Sequence, residues 1–312
     1  MLSRRLLRVK VMQVVYAYYQ KGESTIDKAE KELFHSISKS HELYHAMLLL
    51  LTEIRNYGEK RIETGKQKIR PSKEDLNPNT RFVDNQLLNQ LANNKSLLDY
   101  IEKTGLSWVN HPEVIKNLFQ EICASDLYKE YLAMESSCYE SDKKFVLKMV
   151  DKLVAPYEEL YNVLEEQNIY WNDEAEFIIS MVLKTLKSFE MIQGEDAVLL
   201  PEFKDEDDYQ FVKTLFRKSI ANYKESYDLI KKFSKNWDFE RVAFVDIVLM
   251  QIALAEISEF QHIPVKVTLN EYIEIAKFYS TSKSGNFING ILDKIVDHLI
   301  EEKKLVKPLK SW

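Results

Sequence analysis

Residues 264–294 read PVKVTLNEYIEIAKFYSTSKSGNFINGILDK, and this stretch decides the fold. At about 100° per residue, Leu269, Tyr272, Ile273, Ala276 and Tyr279 share one face, and Ile288, Ile291, Leu292, Ile295 and Leu299 share another. That spacing predicts two amphipathic helices joined by a polar loop over residues 280–285. Thr268 and Glu271 have the spacing of a capping box, which predicts that the first helix starts there. Phe287 stands at the edge of the second stripe, close to the loop and its Lys283. An aromatic ring beside a basic loop is suited to stacking a nucleic-acid base. The same spacing fits an ordinary core residue.

Composition points the same way. The 312 residues suffice for one large domain or two smaller ones, and 45% hydrophobic content supports a real core. Only 7 Gly and 7 Pro argue for helices and against a turn-rich β protein. Cys123 and Cys138 form neither a metal pattern nor a disulfide framework, which fits a reducing, cytoplasmic setting. No apolar run approaches the roughly 18 residues that span a membrane. The net charge of −6 does not advertise nucleic acid, but its distribution is uneven. The first ten residues carry four basic side chains and no acid, whereas residues 202–208 are acidic. Screening limits the reach of distant charge to about 10 Å, so a local basic patch can act on its own.

Residues 4–20 read as a helix whose Leu7, Val11, Val14, Val15 and Tyr18 face inward, with Arg4, Arg5 and Arg8 along one border. The arginines fit either a solvated face or a phosphate-binding patch. Lys10 and Gln13 interrupt the apolar run and argue against a signal peptide, while a basic amphipathic transit peptide shares the charge pattern. Residues 24–66 look helical, with a break near Ser40. They contain His41-Glu42-Leu43-Tyr44-His45, the spacing of a zinc peptidase motif, although no third ligand is recognisable. Residues 69–82 form a polar connector with two prolines. Helical patterns resume over 83–94, 112–134, 143–166 and 171–189, followed by an acidic connector over 191–208. No nucleophile–base pair, glycine-rich phosphate loop or two-cysteine ligand set is legible, and together with the resemblance given next this favours a binding protein over an enzyme.

The wording of the last third is more specific than its periodicity. Lys266, Val267, Asn270 and Glu271, then Phe287, Ile288, Asn289, Gly290, Leu292, Asp293 and Lys294, closely resemble the C-terminal signature of the NusB family of transcription antitermination factors. Asn222, Tyr223, Asp228, Ile230, Asn236, Trp237, Arg241 and the segment Ala255-Glu256-Ile257 follow the family's order, and Gln13 and Tyr16 resemble its opening helix. Leu6 and Gln251 stand where the family usually has arginine. The resemblance covers residues 4–20 and about 207–303; members of the family are much shorter. It implies an all-α, NusB-like helical bundle whose first helix is residues 1–20 and whose remainder is residues 207–312. Residues 21–206 then form a large helical insertion. A faint echo between residues 54–57 and 220–223 is too short to establish a duplication.

The resemblance also implies a function. NusB-type proteins pair with the small-subunit ribosomal protein that doubles as NusE, bind single-stranded boxA RNA and join an RNA polymerase antitermination complex on ribosomal RNA operons. By that match Arg4, Arg5, Arg8, Tyr16, Lys283, Ser284 and Phe287 are the expected RNA contacts. Glu240 and Asp246 are the expected contacts to the ribosomal protein. No cofactor and no membrane are implied. A NusB-like domain also fronts certain ribosomal RNA cytosine methyltransferases, so a helical RNA-binding role in ribosomal RNA processing or modification, without catalytic activity, is the alternative. The zinc peptidase suggested by His41 and His45 is the third reading.

Overall fold

The computed structural model describes residues 3–22, 25–172, 174–234 and 242–305. Every regular element among them is helical, as the sequence predicts. In chain order the α-helices are α1 (Arg4–Lys21), α2 (Ile26–Lys66), α3 (Lys73–Leu76), α4 (Gln86–Ala92) and α5 (Lys95–Thr104). Then come α6 (Pro112–Ala124), α7 (Asp126–Leu132), α8 (Tyr139–Met149), α9 (Glu158–Gln167) and α10 (Ala175–Ser188). The last five are α11 (Glu206–Ala221), α12 (Tyr223–Phe233), α13 (Phe244–Glu259), α14 (Val265–Tyr279) and α15 (Ser284–Glu301). No helix among the described residues is long and apolar enough to cross a membrane. The chain divides into two compact units: Met1–Ile37 with Pro201–Trp312, and Ser38–Leu200. Residues 21–37 and 201–206, read from the sequence as part of the insertion, group with the first unit.

In the first unit α13 is the centre. Every residue from 246 to 257 is buried, and a helix buried all round must be enclosed by others. Its neighbours are α1, α11, α12, α14 and α15. Side-chain bonds fix their directions. Arg8, early in α1, bonds Glu256, late in α13, whereas Tyr16 and Tyr19, late in α1, place their rings against Phe244 at the start of α13. Thr268, early in α14, also bonds Glu256, whereas Ser284, beyond the end of α14, bonds Asp246. Both α1 and α14 therefore run antiparallel to α13, and parallel to each other.

Helix ends follow local chemistry. The Ser3 hydroxyl accepts a bond from the Leu6 N–H and starts α1, and Gly22, at φ +67°, ends it in a left-handed conformation that suits a residue without Cβ. The expected capping box at Thr268 and Glu271 is absent. Helix α14 starts at Val265 after Pro264, Thr268 is buried on Glu256, and Glu271 turns to Arg5. The single apolar stripe expected for α1 is also too narrow: Leu6, Val9 and Met12 are buried as well, and so are Arg8 and Lys10.

The second unit combines the larger part of the long α2 with shorter helices, three of which are capped by Asn85, Asn94 and Ser125. The expected break near Ser40 does not occur: α2 runs through it without interruption, and the Ser40 hydroxyl bonds Glu174. The predicted helix over 112–134 is interrupted where Ser125 caps α7. The one over 143–166 passes into a π-turn, Val150–Val154, and stops before Pro156. Asp142 is a buried node, accepting hydrogen bonds from Tyr131, Ser137 and the Gln86 N–H.

Candidate nucleic-acid interface

The opening arginines separate into two kinds. Arg8 is 3% exposed and donates two hydrogen bonds, 2.7 and 2.8 Å, to Glu256, which is 0% exposed. Glu256 also accepts from the Thr268 and Tyr272 hydroxyls at 2.8 and 3.0 Å. Burial opposes the Arg8 charge most strongly, but the hydrogen bond to Glu256 together with the electrostatic attraction of Tyr272, Glu256 and Glu271 outweighs it and raises the guanidinium pKa. A buried charge tolerates such a site only when paired and hydrogen-bonded. Arg8 therefore ties α1 to α13 and α14, and the expectation of a phosphate contact at Arg8 does not fit this placement.

Arg4 and Arg5 face outward. Arg4 donates to Asp208 at 2.9 Å and lies 5.0 Å from the Phe211 ring centre. Arg5 makes a bidentate pair with Glu271 at 2.8 and 2.9 Å. That hydrogen bond raises the Arg5 pKa and lowers that of Glu271. The pair uses the Nε and Nη2 atoms of Arg5, and a guanidinium has five N–H donors, so an edge remains for a phosphate oxygen. Tyr16 is 37% exposed, with its ring centre 5.4 Å from that of Phe244. It lies eleven residues beyond Arg5, which returns a helix to within about 20° of the same direction.

Lys283 is exposed, just before the first residue of α15. Its neighbour Ser284 is buried and donates to Asp246 Oδ2 at 2.7 Å, while Ser280 and Thr281 place their hydroxyls 2.9 and 2.8 Å from the Ser284 oxygen. Asp246 is 4% exposed, and its Oδ1 has no hydrogen-bond partner among the described residues. An expected RNA residue and an expected partner residue are thus in direct contact. Through Phe244, two residues before Asp246, Tyr16 lies toward the same end of α13, although the two positions point to different sides of that helix. The Arg5–Glu271 pair lies at the other end of the surface, about 12 Å from the end of α14 at 1.5 Å per residue. Phe287 is buried in α15, so the core reading of its spacing holds and its ring is not free to stack. Glu240, Asn236, Trp237 and Arg241 lie outside the described residues.

The zinc-peptidase pattern resolves differently. His41 Nε2 lies 2.9 Å from the Leu200 carbonyl, and His45 Nδ1 lies 2.9 Å from the His41 carbonyl. The His45 ring stacks on Tyr100, centres 3.7 Å apart, and Glu42 pairs with Lys39. Burial pushes the pKa of His45 down to about 4 and lowers that of His41. No cluster of three potential metal ligands occurs among the described residues. These histidines pack α2 into the second unit.

The sequence reading missed Glu256, Thr268 and Tyr272 as a framework, because their partner Arg8 is more than two hundred positions away. Comparison with known proteins places this architecture. The model of the NusB family matches residues 177–297. Transcription antitermination protein NusB of Salinibacter ruber is 36% identical over 132 residues, covering 40% of this chain and 82% of that protein. The protein of the same name from Natranaerobius thermophilus is 35% identical over 121 residues, covering 36% of this chain and 87% of its own. A T. maritima NusB structure is matched over 55% of this chain and 100% of its own, at 24% identity and a TM-score of 0.30. With over a third of positions identical across most of the length of both bacterial proteins, this chain belongs to the NusB family of transcription antitermination proteins.

Proposed function

We propose that this chain binds single-stranded, boxA-type RNA together with a NusE-type ribosomal protein, and acts in the RNA polymerase antitermination complex on ribosomal RNA transcription. The observation that carries this reading is the surface built by α1 and α14, with outward guanidinium groups at one end and Tyr16 and Lys283 at the other. Arg4, Arg5 and Lys283 contact phosphates and position the strand without reading it. Tyr16 supplies an aromatic face. Arg8, Ser284 and Phe287 hold that surface in place from beneath.

Glu240 is our candidate for direct contact with the ribosomal protein, and Asp246, 4% exposed, is our candidate for a residue that acts on that partner through Ser284. Because Asp246 holds Ser284, a partner that displaces the start of α13 acts on the first turn of α15, beside Lys283. Partner and RNA binding are then coupled through one hydrogen bond. The test is fluorescence anisotropy of labelled boxA RNA with the purified chain, alone and with the ribosomal protein. We expect binding that tightens when the ribosomal protein is added. No binding under either condition contradicts the proposal.

A further inference from the structure

Tyr16 and Phe278 are the exposed aromatic residues among the described part of the chain. Phe278 is 80% exposed, and no aromatic residue of α14 is more so. An isolated exposed ring needs no explanation by itself. The positions of these two are what matters. Phe278 lies seven residues beyond Glu271, so it points within about 20° of the same direction on α14, about 10 Å farther along. Tyr16 bears the same relation to Arg5 on α1, about 16 Å farther along. Arg5 and Glu271 are hydrogen-bonded to each other, and the two helices run parallel. Both rings therefore stand on the surface that carries Arg4 and Arg5, toward its Lys283 end.

The charge around Phe278 selects the occupant. From residue 275 to residue 292 the chain has two lysines, Lys277 and Lys283, and no carboxylate, while Glu274, one turn before Phe278, pairs with Lys277. Both lysines are exposed, and so are Thr281, Ser282 and Asn286. A ring one turn from an ion pair and followed by exposed Lys283 and hydrogen-bonding side chains suits a nucleobase with its phosphate, since every base has a π-face and stacking tolerates any sequence. Building on the RNA reading above, we infer that Phe278 is a base-stacking residue of this interface. It fills the role that the buried Phe287 cannot.

The experiment places 2-aminopurine at successive positions of a short single-stranded boxA RNA and titrates it with the full chain. We expect quenching at one position with the unmodified protein. In F278A that quenching is lost and affinity falls roughly 5- to 150-fold, with the salt slope unchanged because no phosphate contact is removed. F278W keeps both signals. Equal quenching and affinity in F278A overturn this inference alone. RNA binding that survives in F278A while retention of the purified ribosomal protein fails makes Phe278 a protein contact and also overturns it. Failure of the unmodified protein to bind RNA overturns the parent reading, and this inference with it.

Discussion

Three arginines within five positions have different fates, and the difference is burial. Arg8→Ala leaves Glu256 charged and enclosed, so we expect a loss of about 3–5 kcal/mol in urea unfolding. Arg5→Ala removes a half-exposed pair and should cost no more than about 1 kcal/mol. Unfolding curves of the two variants side by side check this, and equal losses contradict it. From the sequence the arginines were legible as a group but not as two kinds, because Glu256 and Glu271 come near only in the folded chain. Phe287 shows a related gap: its spacing fitted both core and surface, and only packing decides between them. Asp246 is nearly buried, so Asp246→Lys would enclose an ammonium group and is expected to unfold the first unit. Asp246→Asn retains an acceptor for Ser284. We expect it to keep its helical circular dichroism and to co-purify less well with the ribosomal protein. Normal co-purification would remove Asp246 from that interface.

Helix α2 carries a pH dependence of its own. Buried His45 titrates at about 4 in the folded chain, against 6.5 for an unperturbed histidine. Between those values the unfolded chain binds a proton that the folded chain does not, so stability rises with pH across the window. The contribution is complete above about pH 6.5 and lost by about pH 4, with an upper size of about 3 kcal/mol. His41 is lowered in the same direction and widens the effect. Urea midpoints measured from neutral to acid pH should fall across this range, and His45→Gln should flatten the fall. An unchanged profile in that variant would show that the acid sensitivity lies elsewhere. The existence of the long helices was legible from apolar spacing. Their ends were less so: Thr268 and Glu271 have capping-box spacing, yet both side chains are drawn into tertiary bonds. Ser40 looked like a break, yet α2 runs through it, and its hydroxyl bonds Glu174 across the bundle.

The two compact units differ in how much of them the sequence discloses. Residues 264–294 revealed the family because their residue types are specific as well as periodic, and relatives of this chain bear out that membership. In the unit Ser38–Leu200 the family model reaches only residues 177–200, and the sequence reading found no comparable motif there. Its interior is ordinary apolar packing with a few buried polar nodes such as Asp142, and such packing specifies shape without naming a task. The proposed RNA role is therefore to be tested on the surface of the first unit. The decisive measurement is the salt dependence of boxA RNA affinity for the unmodified protein and for a variant with both Arg5→Ala and Lys283→Ala. If both residues contact phosphate, the variant binds more weakly and its log–log slope is shallower by about 1.4, roughly 0.7 per contact on a single strand. An unchanged slope and affinity would place the RNA elsewhere on the molecule and contradict the interface described above.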